Sequence, residues 1–234
     1  KCLDRARTER EAVKLAAAEA ESRGFIEYKQ GMALKPGSKV YFNNRGKSLI
    51  LAVMGTKPLS EGCVIAGAHV DAPRLDLKQI PLFENEECAY LKTHYYGGIK
   101  KYQWVTVPLE LHGVVALKNG ENVEVVIGRD PGDPRFVITD LLPHLAQEQM
   151  AKKASEVITG ESLDLLFGSM PLKGEEKDAV KANVLDILKS TYGIEEDDLL
   201  SAELEIVPAG SARELGIDRS MIISYGQDDR VCAY

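Results

Sequence analysis

Val64-Ile65-Ala66-Gly67-Ala68-His69-Val70-Asp71 is the stretch on which the reading of this chain turns. Its first five residues form a continuous apolar run, the pattern of a strand buried on both faces of an α/β sheet. His69 and Asp71 then fall at the carboxyl end of that strand, where open α/β sheets place their ligands. Residues i and i+2 of a strand point to the same side. The Asp71 carboxylate can therefore accept the spare ring N–H of a metal-binding His69, fixing its tautomer and raising its basicity. The plain alternative is a strand-end histidine beside a solvated aspartate, and the tripeptide alone does not separate the two.

Upstream, Thr8-Glu9-Arg10-Glu11 is a capping-box pattern that opens a helix. Val13, Ala16, Ala17 and Ala20 give that helix one apolar face, and Gly24 stops it. Short strands are expected at Phe25–Tyr28, Lys39–Phe42 and Leu49–Met54, with Asn43, Asn44 and Gly46 turning a hairpin between the last two. Downstream, residues 80–130 are β-rich. Trp104–Leu111 alternates, and Asn119-Gly120 marks a hairpin between Val114–Leu117 and Val123–Ile127. A loop at Asp130–Pro134 precedes helices expected at Leu141–Ala154 and Ala179–Ser190, the second ending at Gly193. Leu204–Val207 and Met221–Ile223 read as strands. His94 is assigned a loop or packing role, and His112 an edge position. Residues 76–215 thus read as a β-rich α+β domain inserted between segments 1–75 and 216–234 of an α/β domain.

A second constellation, Gln227-Asp228-Asp229-Arg230, follows the last of these strands. Adjacent aspartates repel unless a cation or arginine compensates them. One carboxylate can also bridge two metals through its two oxygens, as co-catalytic sites require. A turn with exposed charges before a helix is the plain alternative here.

Bulk composition narrows the classes. A net charge of -7 argues against nucleic acid or an anionic membrane as main partner, since phosphate binding needs clustered Lys and Arg. With 44% hydrophobic and 28% charged residues, the composition is that of an ordinary globular chain. No apolar run approaches the roughly 20 residues that span a bilayer. Cys2, Cys63, Cys88 and Cys232 have no paired spacing, which suits reduced thiols in a cytoplasmic protein. The sequence starts Lys1-Cys2-Leu3 without Met and stops within an apolar run, so it reads as an internal piece of a longer polypeptide.

Together the two constellations carry a family resemblance. Ala68-His69-Val70-Asp71-Ala72-Pro73-Arg74-Leu75-Asp76-Leu77-Lys78 resembles the first metal-binding strand of the aspartyl aminopeptidases, and Gly226-Gln227-Asp228-Asp229-Arg230 resembles their second metal motif. Tyr96-Gly97-Gly98-Ile99 and Pro143-His144-Leu145-Ala146 are similar to motifs of that family's inserted domain, and Leu3-Asp4-Arg5-Ala6-Arg7-Thr8-Glu9 to its N-terminal helix. The resemblance implies a metallo-aminopeptidase-type α/β catalytic domain interrupted by a dimerisation domain. It implies two divalent ions per subunit, zinc first and cobalt or manganese as substitutes. It implies peptide substrates with a free N-terminus, preferably Asp or Glu, and self-association into a dodecameric particle. By the same resemblance His69 binds metal, Asp71 orients it, Asp228 bridges the two ions, and His144 reaches into a neighbouring subunit's active site. Asp229 is read as lying one layer behind the ligands. The family's catalytic glutamate and remaining ligands lie on strands after the Asp228 motif, so residues 1–234 alone are expected to be inactive. Two rivals stay open: a non-catalytic assembly module, and an amidohydrolase or deacetylase on the same two-metal scaffold.

Overall fold

The computed structural model describes residues 2–233; Lys1 and Tyr234, the two ends of the sequence, lie outside the described residues. The chain begins with α1 (Cys2–Arg5), α2 (Glu9–Ser22), β1 (Ile26–Glu27), β2 (Lys39–Asn44) and β3 (Ser48–Val53). Then come β4 (Arg74–Asn85), β5 (Cys88–Tyr96), β6 (Leu109–Ala116), β7 (Asn122–Ile127), α3 (Gln147–Met150) and β8 (Leu165–Gly168). It closes with α4 (Ala179–Tyr192), β9 (Ala202–Pro208), β10 (Arg213–Leu215), β11 (Met221–Ile223) and α5 (Gln227–Ala233). Two compact units result: Lys1–Ala72 with Ser211–Tyr234, and Pro73–Gly210. No described helix is long and apolar enough to cross a membrane.

In the first unit the capping box forms as the sequence predicts. Thr8 Oγ1 accepts from the Glu11 N–H at 3.3 Å, while Glu11 Oε2 accepts from the N–H groups of Thr8 and Arg7 at 3.3 and 2.8 Å. An N-cap of this kind is worth about 1 kcal/mol. Val13 and Ala20 are the apolar residues α2 buries. Its acidic flank holds β2, because Tyr41 donates its hydroxyl to Glu21 Oε1 at 2.5 Å; that bond pushes the phenol up to about 12. Strands β2 and β3 pair antiparallel around the predicted turn, where Asn43 Oδ1 accepts from the Gly46 N–H at 2.8 Å. Arg45 and Gly46 both take positive φ there, the conformation that matches the right-handed twist of the flanking strands.

The expected buried strand at Val64–Ala68 does not form. Residues 62–72 lie outside every strand, and Val64 and Ile65 are 101% and 84% exposed. A run apolar on both faces is a strand only when neighbouring strands complete its ladder and other elements cover both faces. Among the described residues no strand pairs with it.

The second unit is a six-stranded sheet in the order β7-β6-β9-β4-β5-β8, with every pair antiparallel. Leu111, Ile206 and Leu75 stand side by side across β6, β9 and β4, each at most 2% exposed, and form the centre of the core row. The sheet curls, because Phe136 bridges to Leu109 on β6 and the adjoining Val137 bridges to Leu166 on the outermost strand β8. Helix α4 packs on β4, β5 and β8 through Val180, Val184 and Leu188, spaced at i, i+4 and i+8 as helical periodicity requires.

Three expectations are corrected in this unit. The alternating segment from Trp104 enters a strand only at Leu109, after Pro108. The helix expected over Leu141–Ala154 shrinks to α3, with a turn at residues 143–145 before it. Pro143 supplies no N–H, and Leu141, Leu142 and Leu145 remain exposed, so no buried apolar face stabilises a longer helix. His112 is central rather than at an edge: β6 lies between β7 and β9, and the imidazole is fully buried. Its Nε2 lies 2.9 Å from Glu110 Oε2 and its Nδ1 lies 3.2 Å from Arg129 Nη2. An arginine can only donate, so Nδ1 is the acceptor and Nε2 carries the proton donated to Glu110.

Candidate metal centre

His69 stands between two carboxylates. Its Nδ1 lies 3.2 Å from Asp71 Oδ1, and its Nε2 lies 3.4 Å from Asp229 Oδ1. The first contact is the one the i, i+2 spacing predicts, and it forms although residues 69–71 lie in no strand. The second joins residues 160 positions apart and belongs to the packing of the first unit. The imidazole itself is 70% exposed, open to a ligand or ion, whereas the Asp229 side chain is 9% exposed.

Asp228 and Asp229 sit in the first turn of α5, where carboxylates suit the positive end of a helix. A helix turns about 100° per residue, so the neighbours diverge. Asp229 points inward at His69, and Asp228 is exposed. Sequence reading ranked Asp228 above Asp229; the structure sets Asp229 on the ring nitrogen.

The donor set suits a divalent ion. Imidazole nitrogen and carboxylate oxygen are both zinc donors, at roughly 2.0–2.2 Å. Two such atoms on one tetrahedral ion stand roughly 3.4 Å apart by that geometry, and the spacing of His69 Nε2 and Asp229 Oδ1 agrees with it. With Asp71 on Nδ1, the proton of a neutral imidazole is held there and Nε2 is left as the donor.

Sequence reasoning passed over the group that anchors this turn. Arg7 and Arg230 are 2% and 3% exposed, and their guanidinium carbons each lie 5.5 Å from the ring centroid of Tyr225. The signal that could have found it is Gly226, a glycine two residues before a pair of aspartates and an arginine.

His144, in the second unit, is exposed on the turn at residues 143–145. The Leu145 N–H bonds to the Leu142 carbonyl at 2.9 Å and the Ala146 N–H to that of Pro143 at 3.3 Å, while Ala146 is buried. Leu142 and Leu145 beside it are 64% and 72% exposed. His94 lies on β5, exposed, with its ring stacked on Tyr95 at 5.7 Å.

Residues 2–234 match the sequence profile of the aminopeptidase I zinc metalloproteases (M18). The chain belongs to that M18 peptidase family. It is 56% identical over 237 residues to the probable M18 family aminopeptidase 1 of Clostridium acetobutylicum, covering 99% of this chain and 51% of the relative. The corresponding Thermotoga maritima protein is 50% identical over 232 residues, with 99% and 51% covered. Among solved structures, the M18 aminopeptidase from Thermotoga maritima superposes with a TM-score of 0.94 at 49% identity, covering 99% of this chain and 51% of that one. Aminopeptidase I from Clostridium acetobutylicum gives 0.89 at 53% identity, with 99% and 52% covered. The α/β metallo-aminopeptidase fold expected from the sequence is therefore the fold observed. The chain spans about half the length of the curated relatives it matches.

Proposed function

We propose that this chain is part of a cytoplasmic metallo-aminopeptidase that releases N-terminal residues from peptides, acidic ones (Asp, Glu) preferred. The observation that supports the reading best is His69 with a carboxylate on each ring nitrogen, inside a chain of the M18 family. His69 would hold an ion through Nε2, and Asp71 would fix its ring and tautomer. Asp228, exposed on the same turn as Asp229, would offer a carboxylate to bridge a pair of ions. When bound, two divalent ions supply an activated water and polarise the scissile carbonyl. All four cysteines are free thiols, in keeping with a reducing compartment.

The full-length protein is expected to contain about two zinc ions per chain and to hydrolyse aspartyl and glutamyl anilides. Chelation should abolish turnover, and zinc, cobalt or manganese should restore it. Hydrolysis that survives complete metal removal would sink the reading. Turnover of N-acylated amino acids with none of free-amine peptides would turn it into a deacylase.

His144 is proposed to act across a subunit boundary, with Leu142 and Leu145 covered by a second copy in the assembly. Its ring N–H would stabilise the charge that develops on the scissile carbonyl oxygen, an interaction worth about 3 kcal/mol per donor. His144→Ala should then keep its metals and oligomer and lose roughly a hundredfold in kcat. Particles mixed from His144→Ala and a metal-site mutant should regain part of the activity. Normal turnover in His144→Ala leaves the histidine a surface residue.

A further inference from the structure

Arg230 is a costly residue for this position. It is 3% exposed, and Nη2 donates to the Arg7 carbonyl at 2.9 Å. Among the described residues its buried Nε and Nη1 have no hydrogen-bond partner. Its charge shares the Tyr225 ring with a second buried cation, Arg7. Desolvating two guanidiniums around one aromatic ring is expensive, and unsatisfied buried N–H groups add to the cost. A long apolar side chain would fill the same space without that cost, so packing does not account for an arginine.

The geometry shows what the arginine does there. Its guanidinium lies against the α-carbon of Gly226, which has φ +72; a Cβ at that residue would stand 1.7 Å from Nη1. The Arg230 N–H also bonds to the Gly226 carbonyl at 3.3 Å, so backbone and side chain of one residue both grip the turn that starts α5. Asp229 is the next residue back, and its carboxylate faces His69 Nε2. We infer that Arg230 is a positioning residue of the metal centre: by clamping the Tyr225-Gly226 turn to the backbone of Arg7, it sets where α5 begins and holds Asp229 against His69. This rests on the metal reading proposed above.

The test uses the full-length protein stripped of metal and titrated with cobalt(II), whose visible spectrum reports ligand geometry, and with zinc against a competing chelator. Arg230→Lys keeps the charge but loses the flat, ring-stacked fork. Gly226→Ala keeps Arg230 but drives a methyl into its guanidinium. Both variants are expected to retain fold and oligomer when metal-free, to bind zinc about 10–100-fold more weakly, and to give an altered cobalt spectrum. Wild-type affinity and spectrum in both variants would overturn the inference while leaving the metal reading intact. Metal-free variants that no longer fold would overturn it too, by making Arg230 a structural residue. A wild-type protein that binds neither ion would instead strike down the metal reading.

Discussion

His69→Ala in the full-length protein is expected to lose one bound ion and at least about a thousandfold in turnover, roughly 4 kcal/mol of barrier. The size follows from the absence of a substitute. Among the described residues the carboxylates of Asp71 and Asp229 face this imidazole from opposite nitrogens, and no second histidine contacts them in the first unit. Removing the ring leaves two like charges facing an empty space, a poor donor set for zinc at the same position. Asp71→Asn is the graded companion. It keeps an acceptor on Nδ1 but removes the charge that raises the ring's basicity, and should cost about 10–100-fold in metal affinity. Asp228→Ala should disturb both ions if it bridges them. Metal analysis decides the matter, and a His69→Ala protein carrying the wild-type complement of zinc would refute the assignment.

Gly113→Ala is expected to destabilise the second unit by about 4 kcal/mol, at the severe end for a point substitution. Gly113 sits in the middle of β6 with φ +149, paired to Val125 on one side and Leu204 on the other. A Cβ there would fall 1.9 Å from the Glu203 carbonyl oxygen and 2.9 Å from its carbon. Both are backbone atoms of β9, itself held between β6 and β4, so the strand cannot move aside without breaking a ladder. Such a loss lowers the melting temperature by about 10 °C for a protein of this size. Unfolding can be followed through Trp104, the only tryptophan in the sequence and 8% exposed. Gly120→Ala is the control: its φ is +88 but nothing lies within 4 Å of the added carbon, so only about 1 kcal/mol should be lost. Equal melting of the two variants would show that β6 accommodates a side chain at residue 113.

Local rules were legible in this sequence and long-range ones were not. The capping box at Thr8, the Asn43–Gly46 turn, the Asn119-Gly120 hairpin and the Gly193 stop are each decided within a few residues, and each forms as read. Val64–Ala68 failed as a strand because strand state depends on neighbours, and hydropathy alone cannot supply them. His112 failed as an edge residue for a related reason. On β6, Leu109, Leu111 and Val115 alternate with Glu110 and His112 in the pattern of a half-exposed strand, yet both faces are buried. The polar face is tolerated because both ring nitrogens of His112 are paired, with Glu110 and with Arg129, and Glu110 also accepts from the Gly210 N–H. At the site, adjacency in sequence made the His69–Asp71 pair readable. Which of Asp228 and Asp229 turns inward depends on the phase of a helix that Arg230 and Gly226 anchor, and spacing alone does not encode that.

The segment at residues 64–68 also bears on how residues 1–234 by themselves behave in a test tube. Five consecutive apolar residues without charge or proline, outside every strand and open to water, form a segment onto which an extended chain can add by backbone pairing. The sequence brackets the segment with charge: Glu61, paired to Lys57 at 3.3 Å, stands just before it, and Asp71 just after it. Charges so placed act as gatekeepers against runaway stacking. The same Asp71 that would steady the His69 imidazole thus also guards the colloidal stability of the segment that leads to it.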